Sequence, residues 1–232
     1  MRLSCVIVLA ALSVFAMSTS AESAPAAPGY KVVKTSKVGG AGGFDYVFAD
    51  AAGRRLYVPR SGGRGGNAKS RVMVYDLDTL QPVGEIPDTN GVHGVAVDPK
   101  AGHGFTSSSP VVMFDTKTLA TLKTIPVQGN PDGIFFEPAT ERIYVFRHGQ
   151  PNATVIAPKD GSIVDTIDLG GAPEQAASDG KGHLYVDIED KDNVAVVDVN
   201  TLQVTGHYDL GGKGGTPAGL GLDVKSHLLF AS

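Results

Sequence analysis

The chain repeats itself. Five segments, "DYVFADAAGRRLYV", "HGVAVDPKAGHGFT", "DGIFFEPATERIYV", "EQAASDGKGHLYV" and "AGLGLDVKSHLLFA", share one layout: a short β-rich run ends on an acid, a polar turn follows, and a second β-rich run begins. The acids are Asp50, Asp98, Glu137, Asp179 and Asp223, at spacings of 48, 39, 42 and 44 residues. The longest spacing holds the Gly-rich insert "SGGRGGNAKS". A unit of forty-odd residues made of short strands has the period of a four-stranded propeller blade, and it excludes a leucine-rich solenoid, whose unit is shorter and carries a Leu ladder.

Each unit supplies four such strands. They are a strand A such as "GVAVD", a strand B such as "RIYVF", a strand C such as "VAVVD" and a strand D such as "IVDTIDL", bounded by Gly, Pro, Asp and Asn. Strand C carries a second signature, V-x-V/M-x-D followed by two residues and Thr-Leu, with its acid at Asp76, Asp115 and Asp198. Helical spacing is nowhere sustained. With 30 Gly and 14 Pro in 232 residues, the composition also favours strands and turns, and an all-β single domain is expected.

The first 21 residues read separately. Arg2 precedes the apolar run "LSCVIVLAALSVFAM" and then small residues, the layout of a secretory signal peptide with cleavage after Ala21. The run is short for a bilayer span, so no transmembrane anchor is expected after cleavage, and the protein reads as exported, to a periplasm or the exterior. Residues 22–29 form a flexible lead-in. The single cysteine, Cys5, lies inside the leader. The mature chain then has no thiol for a disulfide, a thiolate metal site or a nucleophile. A net charge of −4 argues against nucleic acid as a partner.

The strand-B segments "LYVPR", "IYVFR" and "LYVDI", with "GNPDGIFFEP" and "VDVNTLQV", resemble the YVTN, or YncE-like, family of bacterial β-propellers. The likeness runs from Tyr30 to Ser232 and implies a propeller of four-stranded blades, seven in number. As a guide to activity it implies little, because a scaffold does not fix a function. Propellers docked by tryptophan fit poorly, since the chain has no Trp. Two departures stand out: Pro158 takes the place of the strand-C acid in the third unit, and strand B of the second weakens to "GFTSS".

The N-terminal "YKVVKTSKVGG" matches the strand D of "GSIVDTIDLGG". Residues 30–38 are therefore expected to be the outermost strand of a closing blade, with four complete blades and a partial fifth filling 30–232. Set against seven blades, the sequence reads as a truncated propeller. A self-contained five-bladed ring lacking one strand is the alternative.

Counting five residues back from each strand-A acid gives Asp45, His93, Asp132, Glu174 and Ala218. Four of these are ionisable and come from consecutive blades, where strand A begins at the channel mouth. Such a ring could hold a divalent cation or polarise a ligand; the plain alternative is a set of wet strand ends. Arg60, Arg147 and His148 at the ends of strand B, with Arg64 and Lys69 on the insert, would suit an anionic group. "GGKGGTP" at Gly211 has no following helix and reads as an inter-blade turn. "NAT" at Asn152 fits a glycosylation sequon. His103, His183, His207 and His227 show no metal-ligand clustering, and no Ser-His-Asp arrangement or catalytic carboxylate pair stands out.

Two function classes follow. One is an exported binding or interaction scaffold whose loop-rich mouth holds a small molecule, a polymer or a protein, without catalysis. The other is a metal-dependent hydrolase resembling propeller lactonases. A tetrapyrrole-handling propeller with His93 as ligand is a third, resting on resemblance alone. The binding scaffold is the preferred reading.

Overall fold

The computed structural model describes residues 29, 31–38, 41–62, 69–150, 152–212 and 215–232. The leader 1–21, nearly all of the lead-in, Tyr30 and Arg64 lie outside the described residues. The chain divides into two units, Met1–Lys37 and Val38–Ser232.

The second unit is built of antiparallel sheets in sequence order. The first sheet is β1 (Phe48–Asp50), β2 (Arg55–Arg60), β3 (Arg71–Asp76) and β4 (Pro82–Ile86). The second is β5 (Val95–Asp98), β6 (His103–Thr106), β7 (Val111–Asp115) and β8 (Thr121–Ile125). The third is β9 (Pro131–Glu137), β10 (Arg142–Arg147), β11 (Asn152–Ala157) and β12 (Ser162–Asp168). The fourth is β13 (Pro173–Ser178), β14 (His183–Ile188), β15 (Asn193–Asp198) and β16 (Gln203–Asp209). β17 (Leu220–Asp223) and β18 (Leu228–Ala231) form a two-stranded fifth. These are the expected strands A to D, and the fold is an all-β propeller of four-stranded blades. Ring closure is not seen among the described residues, and none of these residues forms a helix long and apolar enough to cross a membrane.

The repeated acids explain the hairpins. Asp98 Oδ1 accepts the N–H groups of Lys100 at 2.9 Å and Ala101 at 3.2 Å, and Glu137 takes those of Ala139 at 2.9 Å and Thr140 at 2.8 Å. Strand C ends the same way. Asp115 Oδ1 accepts from the N–H of Lys117 at 3.0 Å and of Thr118 at 2.7 Å, and from the Thr118 hydroxyl at 2.9 Å. Each carboxylate thereby satisfies backbone donors that the ladder leaves over. The Leu after that Thr has a left-handed backbone, with φ of 56° at Leu80, 63° at Leu119 and 59° at Leu202, and its N–H returns to the carbonyl of the acid at 2.8 Å. A bulky residue tolerates that conformation only where something compensates. At Leu119 and Leu202 the compensation is burial in the core between blades.

In the third blade Gly161 holds this position, and its N–H returns to the carbonyl of Ala157 at 2.9 Å. The residue standing in for the strand-C acid is thus Ala157, one earlier than the Pro158 read from the sequence.

Period-two alternation buries both faces of the four-stranded sheets, while β17 and β18 have no buried residue. On β10, Ile143 and Val145 pack toward the second blade with Phe105, Val111 and Ile125, while Tyr144 and Phe146 pack toward the fourth with Leu184, Val186 and Val197. A third cluster joins blades one and two through Tyr57, Val74, Val95 and Phe114. The weak "GFTSS" strand has a packing reason: a Cβ at Gly104 would run into the Phe114 ring. Outer strands such as β12 are largely exposed, as edges facing solvent should be.

Residues 31–38, read as a closing outer strand, belong to no strand here. An outer strand exists only as the partner of a third one, and the fifth sheet consists of β17 and β18.

Candidate functional site

The innermost strands β1, β5, β9 and β13 succeed one another side by side and all start at the same end. Their spacing is tight. The Tyr46 N–H donates to the His93 carbonyl at 3.0 Å, and a Cβ on Gly133 would collide with the Glu174 carbonyl. Glycine is therefore required at Gly133 for close approach of two blades, and the residue just before it, Asp132, is carried against its neighbours.

As a result Asp45, His93, Asp132 and Glu174 form one group. His93 Nδ1 lies 2.9 Å from Asp45 Oδ2 and 3.4 Å from Asp132 Oδ1, bridging the blades on either side of its own. His148 joins them, with Nε2 at 3.3 Å from Glu174 Oε1 and 2.6 Å from Glu189 Oε2. Asp45, His93 and Asp132 present ligand atoms all within 4.8 Å of one another, and so do Asp132, His148 and Glu174. Asp132 belongs to both groups. Ala218, at the fifth repeat position, adds no ionisable group.

Three residues at the site escaped the sequence reading. Glu189 is one, and it was findable: it occupies in the fourth blade the repeat position that His148 holds in the third, just after strand B. The second is Tyr46, whose hydroxyl donates to Glu174 Oε2. The third is Asp187, wholly buried, with Oδ1 accepting the Gln175 N–H at 2.6 Å and Oδ2 lacking a partner. Ser107 does the same job at the equivalent position two blades earlier, accepting the Gly94 N–H at 2.7 Å. No sequence signal separated Asp187 from an ordinary strand residue.

The electrostatics follow from burial and crowding. Desolvation raises the pKa of Asp132 and of Glu174; His93 and His148 pull Asp132 down and Asp45 pushes it up, while the Tyr46 hydrogen bond restrains Glu174. Asp187 is pushed up to about 7, first by burial and then by the charges of Glu174 and Glu189 against the Gln175 hydrogen bond. For His148, burial works against the imidazolium, but the Glu189 hydrogen bond and the charges of Glu174 and Glu189 outweigh it and raise the pKa. Tyr46 is held far above the usual phenol range by burial and by Glu174. Among the described residues, no Lys or Arg forms an ion pair with Asp45, Asp132, Glu174 or Glu189. The arrangement is an electronegative, partly dry cluster suited to a cation.

The arginines read as anion receptors sit differently. Arg147 is buried and bound to its own loop and to the β8–β9 connection, donating to Asn152 Oδ1, to the Gln128 carbonyl at 2.8 Å and to Gln150 Oε1 at 3.0 Å. Arg60 is also buried, opposite Arg71 in the β2–β3 ladder. Lys69 offers its carbonyl to Arg71 at 3.1 Å. His103 and His183 serve the fold, lying 2.7 Å from the Pro158 carbonyl and 2.8 Å from Asp179 Oδ2.

Among the inner strands lies a cavity of about 310 Å³ lined by Tyr46, Phe48, Val95, Ile134, Phe136 and Gln175. A larger one of about 660 Å³ lies between the fourth and fifth sheets, against Tyr185, Tyr208, Leu222 and Phe230. It opens beside the two-stranded fifth sheet, and Asp179 in its wall is already engaged by His183.

No family model matches the chain, and no curated protein matches it. Solved structures do. The chain is similar to the β-propeller domain of Cps50 (Swd1) from Myceliophteria thermophila, with a TM-score of 0.64 and 12% identity over 83% of this chain. It is similar to hydrazine synthase from Kuenenia stuttgartiensis, with a TM-score of 0.63 and 20% identity over 83% of this chain. It is also similar to the dihydro-heme d1 dehydrogenase NirN in complex with DHE, with a TM-score of 0.58 and 15% identity over 76% of this chain. The chain spans 62%, 55% and 38% of those three chains. At such identities the likeness shows the fold alone.

Proposed function

We propose that this chain is an exported propeller of the YncE-like kind that binds a cationic ligand, with a divalent metal ion as the candidate, where its inner strands begin. The observation that carries the reading is the convergence of Asp45, His93, Asp132 and Glu174 from four consecutive blades, each imidazole nearby lying between two carboxylates. Strand ends that met only water would gain nothing from such crowding, because burial and like charge oppose ionisation there. Export is supported by the leader-like residues 1–21. Membership of the YncE-like family is supported by the strand-B segments and by the propeller fold. The binding scaffold remains the preferred class, and a small molecule, polymer or protein partner would then meet the same mouth. A polyanion does not suit the charge of this cluster.

The test is thermal denaturation of the full chain with and without divalent cations. A ligand bound only by the folded state raises Tm by mass action. A rise with Zn²⁺ or Mn²⁺ that chelation reverses, and that the paired variant D132N/E174Q lacks, is the expected result. Equal shifts in both proteins, or none in either, would overturn the reading.

A further inference from the structure

We propose that the mouth takes up two divalent transition-metal ions, with the Asp132 carboxylate bridging them; this rests on the cation-binding reading above. One ion would sit among Asp45, His93 and Asp132, and the other among Asp132, His148 and Glu174. A carboxylate has two oxygens, and Asp132 is the one residue shared by both groups.

The distances favour metal over hydrogen bonding at one pair in each group. A tetrahedral ion with bonds of ~2.0–2.2 Å holds its ligand atoms about 3.4 Å apart. His93 Nδ1 and Asp132 Oδ1 are 3.4 Å apart, and His148 Nε2 and Glu174 Oε1 are 3.3 Å apart. Those separations exceed a well-formed hydrogen bond of about 2.9 Å. In each imidazole the same nitrogen faces both carboxylates, so metal uptake takes the place of the hydrogen bonds of His93 to Asp45 at 2.9 Å and of His148 to Glu189 at 2.6 Å.

Charge gives a second argument. Asp45, Asp132, Glu174 and Glu189 together match two divalent cations, and no described Lys or Arg is paired with any of them. A third observation is independent of the cluster's own contacts. On strand B of the fourth blade, β14, the buried Asp187 accepts the Gln175 N–H at 2.6 Å and leaves Oδ2 without a partner. Gln175 is the neighbour of Glu174, so a buried carboxyl with one unserved oxygen stands against the strand that carries the second group. One imidazole in each group selects the metal class: nitrogen and carboxylate ligands suit Zn²⁺ or Mn²⁺, whereas Ca²⁺ and Mg²⁺ take oxygen shells.

Calorimetric titration of the chelator-stripped full chain with Zn²⁺ tests this, with the variants H93Q and H148Q. Both histidines are partly exposed, so folding should survive, and an unchanged cooperative melt verifies that. The expected stoichiometry is two ions for the parent, one for each single-histidine variant and none for the double variant. Mn²⁺ should give the electron paramagnetic resonance signature of a coupled pair in the parent and an isolated six-line spectrum in either single variant. One ion in the parent, lost in either variant, would overturn the two-ion proposal and leave the cation-binding reading standing. No uptake would overturn both. Two ions retained in all variants would place the metal elsewhere and overturn both as well.

Discussion

The protein uses carboxylates in two ways, and the hairpin turns and the mouth show the contrast. In the turns, Asp76, Asp115 and Asp198 are held below the usual carboxylate range, first by backbone N–H groups of the Thr three residues on. At the mouth, Asp132 and Glu174 are raised, first by burial. Both sets recur at fixed repeat offsets, so periodicity alone does not tell them apart. What separates them is where the lone pairs go: turn acids find donors in their own hairpin, while mouth acids find imidazoles, a phenol and one another. A carboxylate whose charge the fold itself stabilises is structural, and one whose charge the fold leaves uncompensated awaits a partner.

The strongest way to sharpen this contrast is at Glu137, a turn acid with no exposure. It accepts from Ala139, from both donors of Thr140, and from the Ser178 hydroxyl of the next blade at 3.0 Å. Glu137→Ala leaves these donors unsatisfied and should cost roughly 2–4 kcal/mol in chemical denaturation. A loss under about 1 kcal/mol would break the structural reading of the turn acids.

The next test uses pH, since the two sets have opposite signs. A depressed carboxyl stabilises the fold above the unfolded pKa of about 4, and that contribution is lost as pH falls through the lower folded value. A raised carboxyl does the reverse: its contribution is complete below about 4 and is lost as pH rises through the higher folded value. D115N should therefore melt below the parent at pH 7, with the gap closing in strong acid. Without added metal, D132N/E174Q should melt above the parent at pH 8, with the gap closing near pH 4. Gaps of the same sign would end the distinction.

The smallest effect is expected at the Thr-Leu turns. Leu80 and Leu119 share the left-handed backbone, but Leu119 is buried against the first blade, close to Gly84, and Leu80 is only half-buried. Leu80→Gly relieves strain and should change stability by under about 1 kcal/mol, whereas Leu119→Gly also empties a core site and should destabilise clearly. Denaturant midpoints for the two variants give the comparison.

Much of this was legible in the sequence because the repeat fixes both strand register and the facing of equivalent residues. The strand-A acids, the C–D turns and the grouping of Asp45, His93, Asp132 and Glu174 all follow from counting. Counting from strand B as well would have added Glu189 to His148. What counting does not carry is the direction and burial of a single side chain. Arg147 was read as facing a ligand, yet its guanidinium fills its own loop with Asn152 and Gln150. Asp187 stands among apolar strand residues, and only the burial of its carboxyl marks it. Ala157 shows the remaining kind of error, since a proline drew attention one residue past the position that the hydrogen bond from Gly161 identifies.

The turn carboxylates serve the fold, and a cation is the proposed partner of those at the mouth. The most direct measurement compares the Zn²⁺-induced shift in Tm for D115N and D132N, two variants that each remove one aspartate charge. D115N should start from a lower Tm and keep the full metal shift, while D132N should lose the shift without a lower starting Tm. Loss of the shift in D115N, or its survival in D132N, would contradict that division.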